Sequence, residues 1–425
     1  MTDEPTHSVP GKIRIALSHG PFMRYMAGEA VSMTGTWMQV MAQNWVMTYL
    51  TTSAMVLGMV NFAAGIPMIA FSMIGGVCAD RYDRRGILLA TQVVQIILAL
   101  LAGWLVASGR IQIWHVVVIA AIIGVSNSFE MPAASALVPE LVPKEHLATA
   151  IAIDRSVFHG TRLIGPAVAG YVIGLWGTAS AFYLNAFSFV ALMAALFSLP
   201  PRLPGTAEEE SRRRGGIKEG IQYARSDKPT LAMIALIGSI TVFVFPVMVV
   251  MLPLYARNVL HLGAHHMGLL MGVSAFGSFA GSITLLTVPR HTRCRLMMVA
   301  VVGVVVAMIS LALAHRFAVA GAALILQSLG VSTLIGIANT IVQERAPNAL
   351  RGRVSALVGL SFFGLMPFAS LGITSLADWV GMRESLLIAA GLYAAVSIPV
   401  LIGSRKRICE ESGKNAESPN AEPGK

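Results

Sequence analysis

The stretch Gly75–Gly86, with the sequence GGVCADRYDRRG, is a short and highly charged connection between two long apolar runs. The run from about residue 54 to 77 contains no charged side chain, and neither does the run from about 87 to 108. Each run is long enough to cross a bilayer as a helix, because about 20 apolar residues span the hydrocarbon layer. So short a connection predicts an antiparallel helical hairpin, in which the paired glycines let the helix ends approach closely.

The composition of the whole chain indicates a membrane protein. Its 425 residues are 55% hydrophobic and only 12% charged, whereas a soluble domain carries about 25% charged residues. Most of the surface is therefore expected to face lipid. The fold is predicted to be all-α, because every backbone polar group in lipid needs an internal partner and the alternating pattern of a membrane barrel is absent.

The basic residues mark one side of the membrane. The chain has 31 Lys and Arg residues and a net charge of +10. Those in the connections predicted to lie outside are Arg110, Arg257, Arg316 and Arg383. Most of the others fall in the connections on the opposite side, so the positive-inside rule places both termini in the cytoplasm. This placement explains the net charge without a nucleic-acid partner.

Twelve spans fit the apolar runs, in two halves of six. The predicted segments are a cytoplasmic N-terminal arm (1–20), a six-helix half (21–199), a cytoplasmic central loop (200–228), a second six-helix half (229–403) and a disordered cytoplasmic tail (404–425). Pro200 and Pro201 end the sixth span, because proline cannot continue a helix. Residues 215–226 of the central loop are predicted to form a short amphipathic helix on the inner surface.

The two halves repeat two short motifs. Pro139–Pro143 (PELVP) precedes the fifth span, and Gln343–Pro347 (QERAP) precedes the eleventh. The charged connection has a decayed counterpart at Pro289–Arg295, where two arginines keep the spacing of Arg81 and Arg84. Two related halves predict a substrate site near the membrane midplane between them.

The pattern Gly76-x-x-x-Asp80-Arg81-x-x-Arg84-Arg85 resembles the signature loop of the major facilitator superfamily of secondary transporters. Gly35–Gln39 (GTWMQ) in the first span and Pro139–Pro143 after the fourth resemble the bacterial efflux branch, which includes macrolide, tetracycline and siderophore exporters. The resemblance runs from about residue 22 to 404. It implies the superfamily's fold of twelve transmembrane helices in two six-helix halves.

The resemblance also gives the signature loop a role as a conformational latch. In the family, the carboxylate at the position of Asp80 meets the positive end of a helix in the neighbouring half, where the helix dipole stabilises an anion. The expected partner is the start of the eleventh span, near Arg351–Arg353. The latch residues are Gly76, Asp80, Arg81, Arg84 and Arg85. The alternative is that these charges only set the topology.

Glu29 lies within the first span, where a carboxylate is costly and usually functional. We hypothesise that it takes up and releases a coupling proton. The alternative is a position near the inner interface, paired with Arg24 or Arg162. Polar residues follow Glu29 at spacings of three or four and share its helix face. They are Ser32, Thr36, Gln39 and Gln43, and a polar stripe on a membrane helix is expected to line a cavity.

Three further ionisable residues are candidates for proton coupling. Glu130 closes the fourth span; relatives commonly have an arginine near position 134, which this chain lacks, so Glu130 is left to pair with Arg162. Asp154 and Arg155 lie near the start of the fifth span, where a local or interhelical ion pair is the simpler account. Arg162 lies deeper and needs an anionic partner, which is Glu29, Glu130 or an anionic group of a substrate.

The fifth span also contains a motif of small residues and proline. Its members are Gly160, Gly165, Pro166 and Gly170. Small residues allow close packing and proline loosens the helix, so this helix is predicted to bend or rock. The spacing resembles the glycine-proline motif of the superfamily's antiporters and favours export over import.

Other side chains give weaker indications. Aromatic residues in the second half suit a promiscuous apolar pocket, or else ordinary packing and lipid contact: Phe243, Phe245, Phe276, Phe279, Phe362 and Phe363. The cysteines Cys78, Cys294 and Cys409 are expected to be reduced thiols, because they fall on the cytoplasmic side. No ATP-binding loop, metal-spaced cluster or nucleophile motif occurs. We therefore expect no enzyme, metal or cofactor, with a proton gradient as the energy source.

These features predict proton-coupled export of a small amphipathic organic compound across the bacterial cytoplasmic (inner) membrane, by alternating access. Uptake or lipid flipping is the alternative within transport, since the fold serves both. A non-transporting membrane receptor or scaffold is the alternative from another class. The expected partners are a small-molecule substrate and the lipid bilayer, with no nucleic acid, and the protein is expected to be a monomer. The identity of the substrate and the need for a periplasmic adaptor stay open.

Overall fold

The computed structural model describes the backbone of residues 18–199, 217–287, 289–347 and 350–414. Within these ranges the chain is helical and has no strand. Residues 1–17 of the predicted arm, 200–216 of the predicted central loop and 415–425 of the predicted tail lie outside the described residues. The described chain therefore contains the regions in which the spans and the candidate site were predicted.

The described ranges contain twelve helices of at least 20 residues and one short helix, α7. They are α1 (Gly20–Leu50), α2 (Ala54–Arg81), α3 (Arg84–Ala107), α4 (Ile113–Leu137), α5 (Leu147–Trp176), α6 (Thr178–Phe197), α7 (Ile217–Ser226), α8 (Lys228–Val259), α9 (Ala264–Thr287), α10 (Arg293–Ala312), α11 (Phe317–Arg345), α12 (Arg351–Val380) and α13 (Met382–Lys414). The last helix continues into the segment predicted to be a disordered tail, because residues 404–410 are mostly good helix formers.

Ten of the described helices are long and apolar enough to cross a membrane. The two other long helices are α1 and α5, which have 31 and 30 residues, respectively. Each is about 45 Å long, so length does not exclude them. They contain the ionisable residues predicted within the first and fifth spans, such as Glu29 and Arg162, which lower their mean hydropathy. The chain is an all-α, multi-pass integral membrane protein, as predicted.

The first of two compact units contains Met1–Thr52, Ala63–Ser211 and Leu262–Gly272. In it, α1 packs against α5 and α6, and α3 packs against α4 and α6. Glycines allow the close approach of α1 to α6: a methyl group at Gly28 would lie 2.8 Å from the Cβ of Ala195. The positions of side chains on α1 are therefore fixed by direct helix contact.

The second unit contains Ser53–Phe62, Arg212–His261 and Val273–Lys425. In it, α10 packs against α11 and α13, α8 packs against the same two helices, and α7 packs against the start of α12. The first turns of α2 thus belong to the second unit, and the first turns of α9 belong to the first. The units therefore do not coincide with the two runs of six helices in the sequence.

Prolines accompany wider, π-type turns in α8 and α12. These turns are Ile240–Val244, Pro246–Met251, Tyr255–Val259 and Leu360–Gly364. Proline lacks a backbone N–H, so a regular α-helical bond is lost and the winding adjusts. The Phe245 and Phe362 rings meet at these turns with centroids 4.7 Å apart. By contrast, Phe276 and Phe279 are 54% and 44% exposed, so the predicted aromatic set does not form one cluster.

The cysteines differ from the expectation of three reduced thiols. Cys78 in α2 is a free thiol, whereas Cys294 in the first turn of α10 is disulfide-bonded. The expectation is therefore wrong for Cys294. It rested on the compartment alone, and whether two sulfurs meet depends on the tertiary approach of their helices.

Candidate functional site

The signature loop is the tight turn between α2 and α3. Asp83 caps α3, because its Oδ1 accepts a hydrogen bond of 3.2 Å from the backbone N–H of Arg85. Gly75 lies against the backbone carbonyl of Ser128 in α4, with no room for a side chain, whereas Gly76 has open space around it. The prediction that both glycines bring the ends of α2 and α3 together is wrong, because Gly75 serves the contact with α4.

Arg84 joins three parts of the first unit. Its Nε donates to the carbonyl of Ala79 at 3.1 Å, and its Nη1 donates to the carbonyl of Ala136 at 3.0 Å. The same Nη1 forms an ion pair with Glu140. The signature loop and the Pro139–Pro143 motif, which look like separate patterns in the sequence, are therefore one charged junction at the ends of α2 and α4.

The second unit repeats this junction in a looser form. Arg293 donates to Glu344 at 2.8 Å, and Arg290 donates to the same carboxylate at 3.3 Å. Glu344 belongs to the second motif of the repeat, as Glu140 belongs to the first. Glu344 is 37% exposed and Arg290 is 64% exposed, so the carboxylate and the second arginine of this junction are better solvated than Glu140 and Arg84, whereas Arg293 is as buried as Arg84.

The short helix α7 is tied to α11 and α12 within the second unit. Arg345 forms a two-bonded ion pair with Asp227, at 2.9 and 2.7 Å. The hydroxyl of Tyr223 donates to the carbonyl of Arg345 at 2.7 Å, and Glu219 is ion-paired with Arg353. Burial alone would raise the pKa of Asp227, but the hydrogen bonds from Arg345 and Thr230 lower this pKa below its ordinary value.

These contacts bear on the predicted latch without testing it. Arg353, at the expected partner site, is engaged by Glu219 of α7. Asp80 lies one residue before the end of α2, in the first unit, whereas Arg353 lies in the second. A latch between Asp80 and the start of α12 stays a prediction.

Three carboxylates from three helices of the first unit lie within electrostatic range of the buried ring of Tyr25. They are Glu29 of α1, Glu130 of α4 and Asp154 of α5. Glu29 in turn lies within range of the other two. Asp154 lies within electrostatic range of its neighbour Arg155, and an ion pair of Asp154 stays a prediction. Tertiary packing has therefore gathered acids that are far apart in the chain.

Glu130 is held by two glutamines of α3 rather than by Arg162. The Nε2 of Gln92 donates to one carboxylate oxygen at 2.9 Å, and Gln95 donates to the other. Both glutamines are at most 7% exposed. The suggested pairing of Glu130 with Arg162 is therefore wrong. Glutamines at positions i and i+3 of an otherwise apolar span were the signal for this contact, and sequence reasoning missed it.

Glu29 has no hydrogen-bonding or ion-pair partner among the described residues. Of the basic residues considered for it, Arg24 donates to the carbonyl of Gly20 at 3.2 Å. Arg162 lies instead over the ring of Trp37, with its Cζ 5.5 Å from the ring centroid. The pairing suggested from the sequence is not formed, so the only carboxylate of α1 remains available for a proton.

The polar stripe of α1 is divided between two surroundings. Gln39 is 7% exposed, and its Oε1 accepts a hydrogen bond of 2.8 Å from the amide of Asn185 in α6. Ser32 is buried, whereas Thr36 and Gln43 are partly exposed. Gln39 therefore belongs to the contact between α1 and α6, and the prediction that it lines a cavity is wrong. The spacing identified a shared face but not what covers it.

The glycine-proline motif of α5 makes two different contacts. A methyl group at Gly165 would lie 2.6 Å from the Cβ of Trp37 in α1, and one at Gly170 would lie 2.9 Å from the carbonyl of Ala264 in α9. The Pro166 carbonyl lies against Gly268 of α9, while Gly160 has open space. The motif thus allows the close packing that was predicted. Bending or rocking of α5 stays a prediction.

Asp378, near the end of α12, was not identified from the sequence. Its carboxylate accepts hydrogen bonds from the backbone N–H groups of Ala54 and Met55, at 2.6 and 3.1 Å, and from the hydroxyl of Ser53. It therefore caps the first turn of α2, where N–H groups have no partner within the helix. Because more than 300 residues separate the two groups, no local pattern could have indicated this contact.

Comparison with known proteins agrees with this arrangement. Residues 16–424 match the family of transmembrane secretion effectors, MFS_3. The chain is 23% identical over 386 residues to macrolide efflux protein A of Streptococcus pyogenes, covering 89% of this chain and 94% of the relative. It is 22% identical over 397 residues to the multidrug efflux pump Tap of Mycolicibacterium fortuitum, covering 90% and 94%.

A solved structure shows the same fold. A bacterial homologue of the human lysosomal transporter Spinster, in an inward-facing and unoccupied conformation, superposes with a TM-score of 0.71 at 14% identity and covers 100% of both chains. At this identity the likeness concerns the fold alone. The family match covers nearly the whole chain, and its members are transporters and not enzymes. The chain belongs to the transmembrane secretion effector family of the major facilitator superfamily, and it is a multi-pass membrane transporter of small molecules.

Proposed function

We propose that the protein exports a small amphipathic organic compound across the bacterial inner membrane in exchange for protons, by alternating access. The observation that carries the proposal is Glu29, a carboxylate within α1 without a partner among the described residues and within electrostatic range of Glu130 and Asp154. Charges in a medium of low dielectric constant interact strongly, so one proton changes the electrostatic energy of the whole group. The efflux relatives support the direction of transport.

Coupling requires that the proton and the substrate favour different conformations, because a ligand that binds both conformations equally shifts nothing. In this proposal Glu29 releases its proton to the cytoplasm and regains one from the outside. Glu130 differs, because Gln92 and Gln95 already donate to both of its oxygens. Glu29 is therefore the primary coupling acid in this proposal, and Glu130 and Asp154 act on it electrostatically.

The test uses proteoliposomes that contain a pH-sensitive dye. A proton gradient is imposed, and amphipathic compounds are added one at a time. We expect a compound-dependent proton flux that falls to background in Glu29→Gln and persists in Glu145→Gln, a matched change of an exposed carboxylate. Movement of a compound without any proton flux in the wild type would contradict antiport.

Direction and orientation need their own measurement. We propose that both termini are cytoplasmic, which is supported by the bias of Lys and Arg toward the inside connections. We also propose that the protein works as a monomer. Inside-out membrane vesicles should accumulate the compound when energised, and right-side-out vesicles should lose it. Accumulation in right-side-out vesicles would instead indicate uptake.

A further inference from the structure

Arg162 is a cation near the middle of α5 that has no ion-pair partner among the described residues. It lies 15 positions after Leu147, where the helix begins, which is about 22 Å along a helix of about 45 Å. None of the ion pairs among the described residues involves it, and Glu130 accepts hydrogen bonds from two glutamines of α3 instead. A guanidinium at this depth is costly and is expected to meet an anion during function.

Trp37 presents a second donor at the same place. The Arg162 guanidinium lies over its ring at 5.5 Å, and the edge of Phe158 meets the ring with centroids 5.9 Å apart. The indole Nε1 of Trp37 is buried and has no acceptor among the described residues. A buried N–H group without a partner is unfavourable. Within the part of the chain that the structure describes, neither this nitrogen nor the guanidinium of Arg162 has an acceptor.

The two donors are held together by close packing of α1 on α5. Gly165 lies three positions after Arg162, and a methyl group there would come within 2.6 Å of the Cβ of Trp37 and 2.9 Å of the carbonyl of Thr34. Only glycine allows this approach, so the glycine-proline motif fixes the position of the indole relative to the guanidinium. His159, one turn before Arg162, lies within its electrostatic range.

We infer that Arg162 and the indole N–H of Trp37 bind an anionic group of the transported compound, so that the substrate class is an amphipathic organic anion. The planar guanidinium matches a carboxylate or phosphate in a two-bonded geometry, and the rings of Trp37 and Phe158 offer an apolar surface to the rest of the molecule. This inference rests on the proposed export function and names the chemistry of its substrate.

The test measures binding of two probes that differ only in charge, 1-pyrenebutyrate and its uncharged amide. Energy transfer from tryptophan to pyrene reports binding to the purified protein in phosphatidylcholine nanodiscs. We expect Arg162→Gln to weaken binding of the acid at least tenfold and to leave binding of the amide unchanged. Arg162→Lys should bind the acid with intermediate affinity, because lysine keeps the charge but lacks the two parallel N–H donors of the guanidinium. Trp37→Phe should weaken binding of the acid a few-fold.

Arg110→Gln is the matched control, since Arg110 also lies over a tryptophan ring, that of Trp104, at 5.9 Å but on an exposed surface. It should bind both probes as the wild type does. Chromatography and thermal unfolding verify that each variant is folded. If Arg162→Gln does not fold, Arg162→Lys is used in its place. Equal affinity of the wild type and the Arg162 variant for the acid, or no binding by either, overturns the inference.

One further measurement distinguishes a lipid headgroup from a free organic anion as the bound group. Another distinguishes failure of the anion site from failure of the antiport proposal. If phosphatidylglycerol in the nanodisc displaces the acid only when Arg162 is present, the anion is a lipid headgroup; no displacement indicates a free organic anion. The proton-flux assay is independent of the binding assay. Binding of the acid that depends on Arg162, with no proton flux for any compound, would refute the antiport proposal and leave the anion site standing.

Discussion

Charged residues lie at different places in the helices α1–α6 and in the helices α8–α13. The first set has ionisable residues well inside α1, α4 and α5, among them Glu29, Glu130 and Arg162, and two of these three lack an ionic or hydrogen-bonding partner among the described residues. In the second set, Asp, Glu, Lys and Arg occur near the helix ends and in the last part of α13, from Arg405 onward. Several of the charges at the helix ends are paired, as Arg345 is with Asp227.

This difference indicates that the charges inside the first set serve transport, whereas the charges at the helix ends of the second set stabilise the fold. Charge inside a membrane helix destabilises the fold unless function requires it, so the first set is where coupling and recognition are expected. In the second set, ion pairs at helix ends join Glu219 of α7 to α12 and Asp227, directly after α7, to α11. Changing a charge inside α1, α4 or α5 should therefore alter transport, and changing a paired charge at a helix end should alter stability.

The largest expected effect comes from placing a carboxylate inside the apolar set. Gln327 in α11 is fully buried, and neither polar atom of its amide has a hydrogen-bonding partner among the described residues. We expect Gln327→Glu to lower the free energy of unfolding by about 3 kcal/mol at neutral pH. Glu29→Gln should keep or raise stability while removing proton flux. Thermal unfolding in detergent measures both, and an unchanged midpoint for Gln327→Glu would break the comparison.

The two arginine–glutamate junctions should differ in strength. Arg84→Gln removes an ion pair and two bonds to carbonyl oxygens in a partly buried place, which we expect to cost about 2–3 kcal/mol. Arg293→Gln should cost at most about 1 kcal/mol, because Glu344 is 37% exposed and keeps Arg290. Thermal unfolding of the two variants side by side tests the order, and equal losses would show that the junctions are equivalent.

Weakening the ion pair between Asp227, directly after α7, and Arg345 should have a smaller and pH-dependent effect on stability. Asp227→Asn is expected to cost about 1–2 kcal/mol, since it weakens a charge-assisted pair. Because the folded pKa of Asp227 is lowered, the ionic contribution is fully present above its unfolded pKa of about 3.9. It is lost as the pH falls through the folded value. The difference in unfolding midpoint between wild type and variant should be constant from pH 7 to 5 and shrink below about pH 4.

The smallest effect is expected at the cap of α2. Asp378→Ala removes the acceptor for the N–H groups of Ala54 and Met55 and should cost about 1 kcal/mol. Asp378→Asn keeps one oxygen acceptor and should cost a few tenths. Hydrogen exchange of the first turn of α2 gives the local readout. Unchanged exchange in Asp378→Ala would show that Ser53 alone caps the helix.

The sequence alone predicted the membrane fold and identified the charged residues inside its helices. Apolar length and the Gly76–Arg85 pattern predicted the spans, and the family match confirms the resemblance on which the fold rested. These properties are local: a run of 20 apolar residues needs lipid wherever the rest of the chain lies. The same reasoning identified Glu29 and Arg162, because a charge inside such a run is conspicuous by itself.

Only the tertiary structure decided which partner each of these residues has. Helical spacing placed Gln39 on the face of Glu29, but the amide of Asn185 in α6 takes it out of any cavity. Arg162 had three possible partners in the sequence and meets the ring of Trp37 instead. The physical reason is that periodicity fixes directions around one helix axis, whereas hydrogen bonds and stacking depend on which other helix comes within a few ångströms, and packing across the whole chain determines that.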